Sequence, residues 1–143
     1  MNRSILTLFV VASLFTFLAC SRSKNATDTK NIQQQWMLET LPGATYEELA
    51  SAKTNINLVD MQNAGADAGC NKISFTVKEG SNNAISFTSL IITNAACVTT
   101  AKLEASLMGA LELIKSYSIT GNQIVFRDAD GRALITAEAA GLR

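Results

Sequence analysis

The sequence predicts an α+β domain, a small, largely antiparallel twisted sheet or partly closed barrel with one main helix. Short segments in which apolar and polar residues alternate recur along the chain, the period of a strand with one face buried. Turn-forming clusters separate them at Pro42-Gly43, Gly80-Ser81-Asn82-Asn83, Gly121-Asn122 and Asp128-Ala129-Asp130-Gly131. One stretch alone carries a convincing helical stripe, Leu103, Leu107, Leu111 and Ile114. Many strands on short turns with one interrupting helix give a mostly antiparallel sheet with the helix packed on it.

Trp36 to Leu41 reads as the opening strand, ended by Pro42-Gly43. A short helix over Tyr46 to Lys53 follows, with Thr45 as its cap and Glu47 and Glu48 in the first turn, where they suit the helix dipole. Ile56 and Leu58 alternate with Asn55 and Asn57, and the alternation slips at Val59, where a bulge is expected. Ile73, Phe75 and Val77 make a strand that pairs through the turn at 80–83 with Ile85 and Phe87. On the main helix, Lys102, Glu104, Glu112 and Lys115 lie off the apolar stripe, and Thr99 or Thr100 supplies the cap. Tyr117 and Ile119 enter a two-residue hairpin turn, Ile124 and Phe126 leave it, and a second turn leads into Ala133 to Ala137.

Ahead of this domain, Arg3 precedes an apolar run from Ile5 to Leu18, broken only by Thr7, Ser13 and Thr16. A membrane-spanning helix wants roughly 20 apolar residues, so the run fits the apolar region of a secretory signal. It ends in Phe17-Leu18-Ala19-Cys20. That ending resembles the lipobox of bacterial lipoproteins, in which a small residue precedes a cysteine that is acylated on sulfur and becomes the mature N-terminus. Lipidation of Cys20 is therefore expected, against simple cleavage or an uncleaved anchor. The polar stretch from Ser21 to Gln34 reads as a flexible tether.

Charge and composition exclude several functions. Lys plus Arg and Asp plus Glu are 12 each, and removing residues 1–19 takes away only Arg3. No basic run marks a nucleic-acid footprint. The chain has no histidine, which eliminates Ser-His-Asp and Cys-His catalysis and every His-containing metal site. Ser21-Arg22-Ser23-Lys24 has the Ser-x-x-Lys spacing of penicillin-binding enzymes but lies in the tether. Counted from Asp128 as a calcium loop, Gly131 and Ala139 stand where the motif fails. Among Asp60, Asp67, Asp128 and Asp130 no spacing singles out a catalytic pair.

Trp36-Met37-Leu38, Gly69-Cys70-Asn71, the run from Phe87 to Thr93-Asn94-Ala95-Ala96-Cys97, Glu104, and Ile119-x-Gly121-Asn122-x-Ile124 together resemble the META domain, the HslJ-like family named after a heat-inducible bacterial lipoprotein. The resemblance covers roughly residues 34 to 137 and departs from the family pattern at Ala66, Phe75 and Ala95. It implies a small β-rich domain with a helix, found on lipoproteins and linked to envelope stress, and it carries over no catalytic residue. The resulting division is residues 1–19 as a lipoprotein signal peptide, 20–34 as tether and 35–140 as a META-like domain.

With Cys20 assigned to lipid, Cys70 and Cys97 remain in an oxidising compartment, where a disulfide is favoured over two inert buried thiols. Asn71 is expected to satisfy backbone groups at a strand end, with a ligand contact as the alternative. No catalytic, cofactor-binding or metal-ligating residue is expected. The leading functional expectation is a non-enzymatic module anchored in the bacterial cell envelope, the outer membrane favoured over the inner. Its expected contacts are the membrane, through the N-terminal lipid, and an envelope protein. A carrier of a small apolar ligand in a barrel-like cavity is the alternative.

Overall fold

The computed structural model describes residues 31–141. Strand β1 (Gln35–Thr40) leads to helix α1 (Tyr46–Ala52). Strands β2 (Asn55–Asn57), β3 (Ala64–Asp67), β4 (Lys72–Glu79) and β5 (Ile85–Ile92) then follow as a meander. Helix α2 (Ala101–Leu113) carries the chain back to β6 (Ser116–Thr120), β7 (Gln123–Arg127) and β8 (Ala133–Ala139). All pairings are antiparallel, in the order β5-β4-β3-β2-β1-β8-β7-β6.

The sheet curls into a half-barrel, and its two edge strands meet at one end. Ala84 bridges Ser116, the Ile85 N–H donates to the Lys115 carbonyl at 3.0 Å, and the Tyr117 N–H donates to Asn83 at 3.1 Å. The α+β class and the partly closed barrel expected from the sequence are what the chain forms.

Alternation on the strands builds the core. Trp36 and Leu38, Ile73, Phe75 and Val77, Ile85 and Phe87, Ile124 and Phe126, and Ile135 and Ala137 are all buried in one cluster with Leu103, Leu107 and Leu111 of α2. Phe87 meets Phe75 edge-on at 5.0 Å and Phe126 at 5.9 Å, joining β5, at one end of the strand order, to β7, next to the other end, across the core. Packing already starts at Ile32, within the stretch read as tether. That side chain is buried, and its carbonyl accepts from Trp36 Nε1 at 2.9 Å.

Several local expectations need correction. The slip at Val59 is a strand end and not a bulge. β2 stops at Asn57, whose side chain accepts from the Val59 N–H at 3.0 Å. A bulge occurs instead in β5, where Ser89 and Leu90 together oppose Phe75 and Ser89 takes φ 56°. It reverses the alternation, turning Leu90 toward the core and leaving Ile91 68% exposed. The Ala64–Asp67 strand was not legible, since Ala-Gly-Ala-Asp has no β-branched or aromatic residue. Small residues are required there: a Cβ on Gly65 would stand 3.1 Å from the Ile73 carbonyl oxygen. Thr45 caps α1 as expected, in a full capping box with Glu48. Thr100 holds the cap position of α2 as expected, but makes no side-chain cap bond. Ile114 falls just past α2 in extended backbone, yet is fully buried.

Thr54 lies between α1 and β2 with its side chain fully buried and its hydroxyl without a partner among the described residues. Thr54→Val keeps the shape and removes the orphan hydroxyl, so it should raise stability by about 1 kcal/mol. Urea denaturation followed by fluorescence of Trp36, the one tryptophan in the sequence, measures this.

Candidate functional site

Three segments of the chain converge beside the start of β4. The first is the loop Ala68–Asn71 between β3 and β4. Asp67 Oδ1 accepts from the Gly69 N–H at 2.8 Å, and Gly69 takes φ +104°, which a residue with a side chain rarely adopts. Even its absent side chain is accounted for by packing. A Cβ there would stand 3.1 Å from Ala52 Cβ and 3.3 Å from Thr100 Cγ2. The second segment is Thr93–Cys97 after β5, and the third is the first turn of α2. Cys70 and Cys97 are joined as a disulfide with Cα atoms 6.3 Å apart.

Asn71 is the hub. Its side-chain oxygen accepts from the Ala95 N–H at 2.8 Å and the Thr93 hydroxyl at 2.9 Å, while its amide nitrogen donates to the Ala95 carbonyl at 3.1 Å. That pairing imitates a strand neighbour and fastens the second segment, the backbone role expected of it. The same amide donates at 2.8 Å to Oε2 of Glu104, and the Asn71 backbone N–H donates to Oε1 at 3.1 Å. Thr100 also donates to Oε1, at 2.6 Å.

Glu104 is therefore not on a wet face of α2 as its position off the apolar stripe suggested. It is buried, 5% exposed. Burial alone would push its carboxyl up. The Thr100 hydroxyl, the Asn71 amide and the Asn71 backbone N–H outweigh that and hold it below the ordinary value of 4.5. Sequence spacing held one signal for this arrangement, a threonine four residues before the glutamate on one helix face. The partner 33 residues away in sequence left no local trace.

The other acidic candidates serve local structure. Asp60 accepts from the Gln62 N–H and the Asn63 side chain. Asp67 pairs with Lys72 at 3.4 Å. Asp128 and Asp130 both meet Arg132, each at 2.8 Å. The Arg132 guanidinium, with the turn's backbone N–H groups, holds Asp128 below its usual range against partial burial. Cys20 lies outside the described residues.

A cleft of about 730 Å³ adjoins the hub, between α1 and the start of α2, lined among others by Glu47, Ser51, Lys53, Gly69, Thr100 and Lys102. On the rim beyond the disulfide, Val98 is 94% exposed. No helix among the described residues is long and apolar enough to cross a membrane.

The META domain family model matches residues 15–141. Among solved structures, an NMR structure of a protein from Burkholderia xenovorans is similar at TM-score 0.58 and 19% identity, over 76% of this chain and 83% of that one. A second NMR structure is similar at TM-score 0.57 and 19% identity, over 77% of this chain and 92% of its own. At that identity the likeness is one of fold. No curated protein matches the sequence.

Two outcomes follow from the hub. Cys70→Ser with Cys97→Ser opens a link across 27 residues and should cost about 3.5 kcal/mol in denaturant, from lost loop closure in the unfolded chain. A carboxyl held low in the folded state adds stability above its unfolded value of 4.5, and this is lost as pH falls through the folded value. Glu104→Gln should therefore remove part of the acid-induced fall below pH 4.5, read as the wild-type-minus-variant difference in denaturation free energy. A difference that does not change with pH would contradict the charged hub.

Proposed function

The chain belongs to the META domain family, and from that premise we propose that it is a non-enzymatic envelope lipoprotein, anchored through lipid on Cys20, whose domain docks another envelope protein. The observation that carries the docking reading is that Ile91, near the end of β5, and Val98, just past Cys97, stand largely in water. Val98 directly follows a segment held by the disulfide and by Asn71, which leaves it little ordering to lose on binding. The anchor reading rests on the apolar run and the Leu18-Ala19-Cys20 ending. Several acyl chains, at about 0.8 kcal/mol per buried methylene, hold a protein more firmly than one.

A carrier of a small apolar ligand is the second reading, favoured by the size of the cleft between α1 and α2 and by Ala52 and Leu103 in its wall. A ligand whose binding is lost in Ala52→Asp but kept in Val98→Asp would select it.

Cys20→Ala should shift the protein from the membrane fraction to a soluble or unprocessed form. Mass spectrometry that finds Cys20 unmodified in wild-type membranes would overturn the anchor. Crosslinking in intact envelopes should capture a defined envelope protein with wild type and lose it with Ile91→Asp and Val98→Asp, both folded by circular dichroism. Equal capture by these variants would overturn the docking surface.

A further inference from the structure

Besides forming the disulfide, the two cysteines share a neighbourhood with a buried carboxylate. One ligating atom each from Cys70, Cys97 and Glu104 all lie within 4.8 Å of one another. We propose that, once the disulfide is reduced, these three residues form a site for a divalent cation of the zinc class, with its fourth position open to water. The inference stands apart from the docking reading, because it uses only the hub.

The lack of histidine, which excludes the commonest zinc sites, does not touch a set of two thiolates and a carboxylate. At about 2.3 Å per Zn–S bond and about 2.0–2.2 Å per Zn–O bond, a tetrahedral centre places its sulfurs roughly 3.8 Å apart and each sulfur roughly 3.5 Å from oxygen. The Cα separation of 6.3 Å lies toward the wide end of the disulfide range. Rotation about the two side chains can therefore part the sulfurs without moving backbone.

The third ligand is already oriented. Asn71 and Thr100 hold both oxygens of Glu104, as outer partners hold a ligating carboxylate. The Asn71 amide also stands 3.4 Å from Cys97 Sγ, placed to support a thiolate. Cys70 is exposed and Cys97 half-buried, so a cation can enter from solvent and keep a water ligand. Thiolate sulfur selects zinc-class ions over calcium and magnesium, which take oxygen.

The exchange balances. An external dithiol reduces the protein disulfide to two thiols and is itself oxidised to a disulfide. The cation then binds both sulfurs and releases two protons. Reoxidation by a low-molecular-weight disulfide takes two protons up, yields two small thiols, re-forms the protein bond and expels the cation. Either link, disulfide or metal, ties the start of β4 to the segment ahead of α2.

Cobalt(II) is the probe, added to the full chain carrying Cys20→Ala, which removes the third thiol. After reduction by a phosphine and removal of the reductant without air, one Co²⁺ per chain should bind with a thiolate-to-cobalt charge-transfer band and the visible bands of a tetrahedral ion. Zn²⁺ should displace it. The oxidised protein and the reduced protein alkylated by iodoacetamide should show no such band. Cys97→Ser should lose it, and Glu104→Gln should bind at least about tenfold more weakly. Circular dichroism checks that each variant is folded, and the comparison of reduced with alkylated parent protein needs no further substitution. A reduced protein without the thiolate band, equal binding by oxidised and reduced forms, or a reduced chain left unfolded with Co²⁺ present would each overturn the site.

Discussion

The constraint on which the rest of this structure depends is a buried negative charge that must be satisfied. Glu104 is placed inside by the helix it belongs to, between Leu103 and Leu107 on the covered side of α2. A carboxylate taken out of water is stable only where hydrogen bonds replace its solvation. Those bonds come from Asn71 and Thr100, and Asn71 can deliver them only if its loop turns sharply at Gly69. The helix, the β3–β4 loop and the segment after β5 are thus positioned by one requirement. The disulfide joins two of these pieces, the β3–β4 loop and the segment after β5, a second time by covalent means.

Such a clamp suits the topology. The first five strands and the final three are separate runs of the chain, linked along the sequence through α2 and within the sheet by the β1–β8 ladder. A crossover of this kind leaves the helix free to tilt unless its first turn is held. The clamp holds that turn against β4, and Phe87, in contact with both Phe75 and Phe126, carries the alignment across the core to β7.

Much of this was legible in the sequence because the signals were local. Ile73, Phe75 and Val77 announce a half-buried strand by alternation, and the Leu103, Leu107 and Leu111 stripe announces a helix. What stayed hidden depends on partners far along the chain. The Ala-Gly-Ala-Asp strand is specified by lack of room beside Ile73, not by any preference of its own residues. Glu104 resembles a solvent-facing helix residue until Asn71 is known to be opposite it. Ile91 has the composition of a core residue, and only the extra residue in β5 turns it outward. The cysteine pair was legible as a pair, whereas its surroundings, a carboxylate and an amide, were not.

The order of strands also has a mechanical meaning. The described chain enters through β1, which lies between β2 and β8, while the short seam between Asn83–Ile85 and Lys115–Tyr117 joins the two outermost strands. Tension arriving from the N-terminal side is met first by a strand bonded along both flanks, where sliding must shear two ladders at once. The weakest closure of the sheet is the one farthest, counted in strands, from the load. A domain pulled from this end would resist as a sheared unit before its seam could be peeled open.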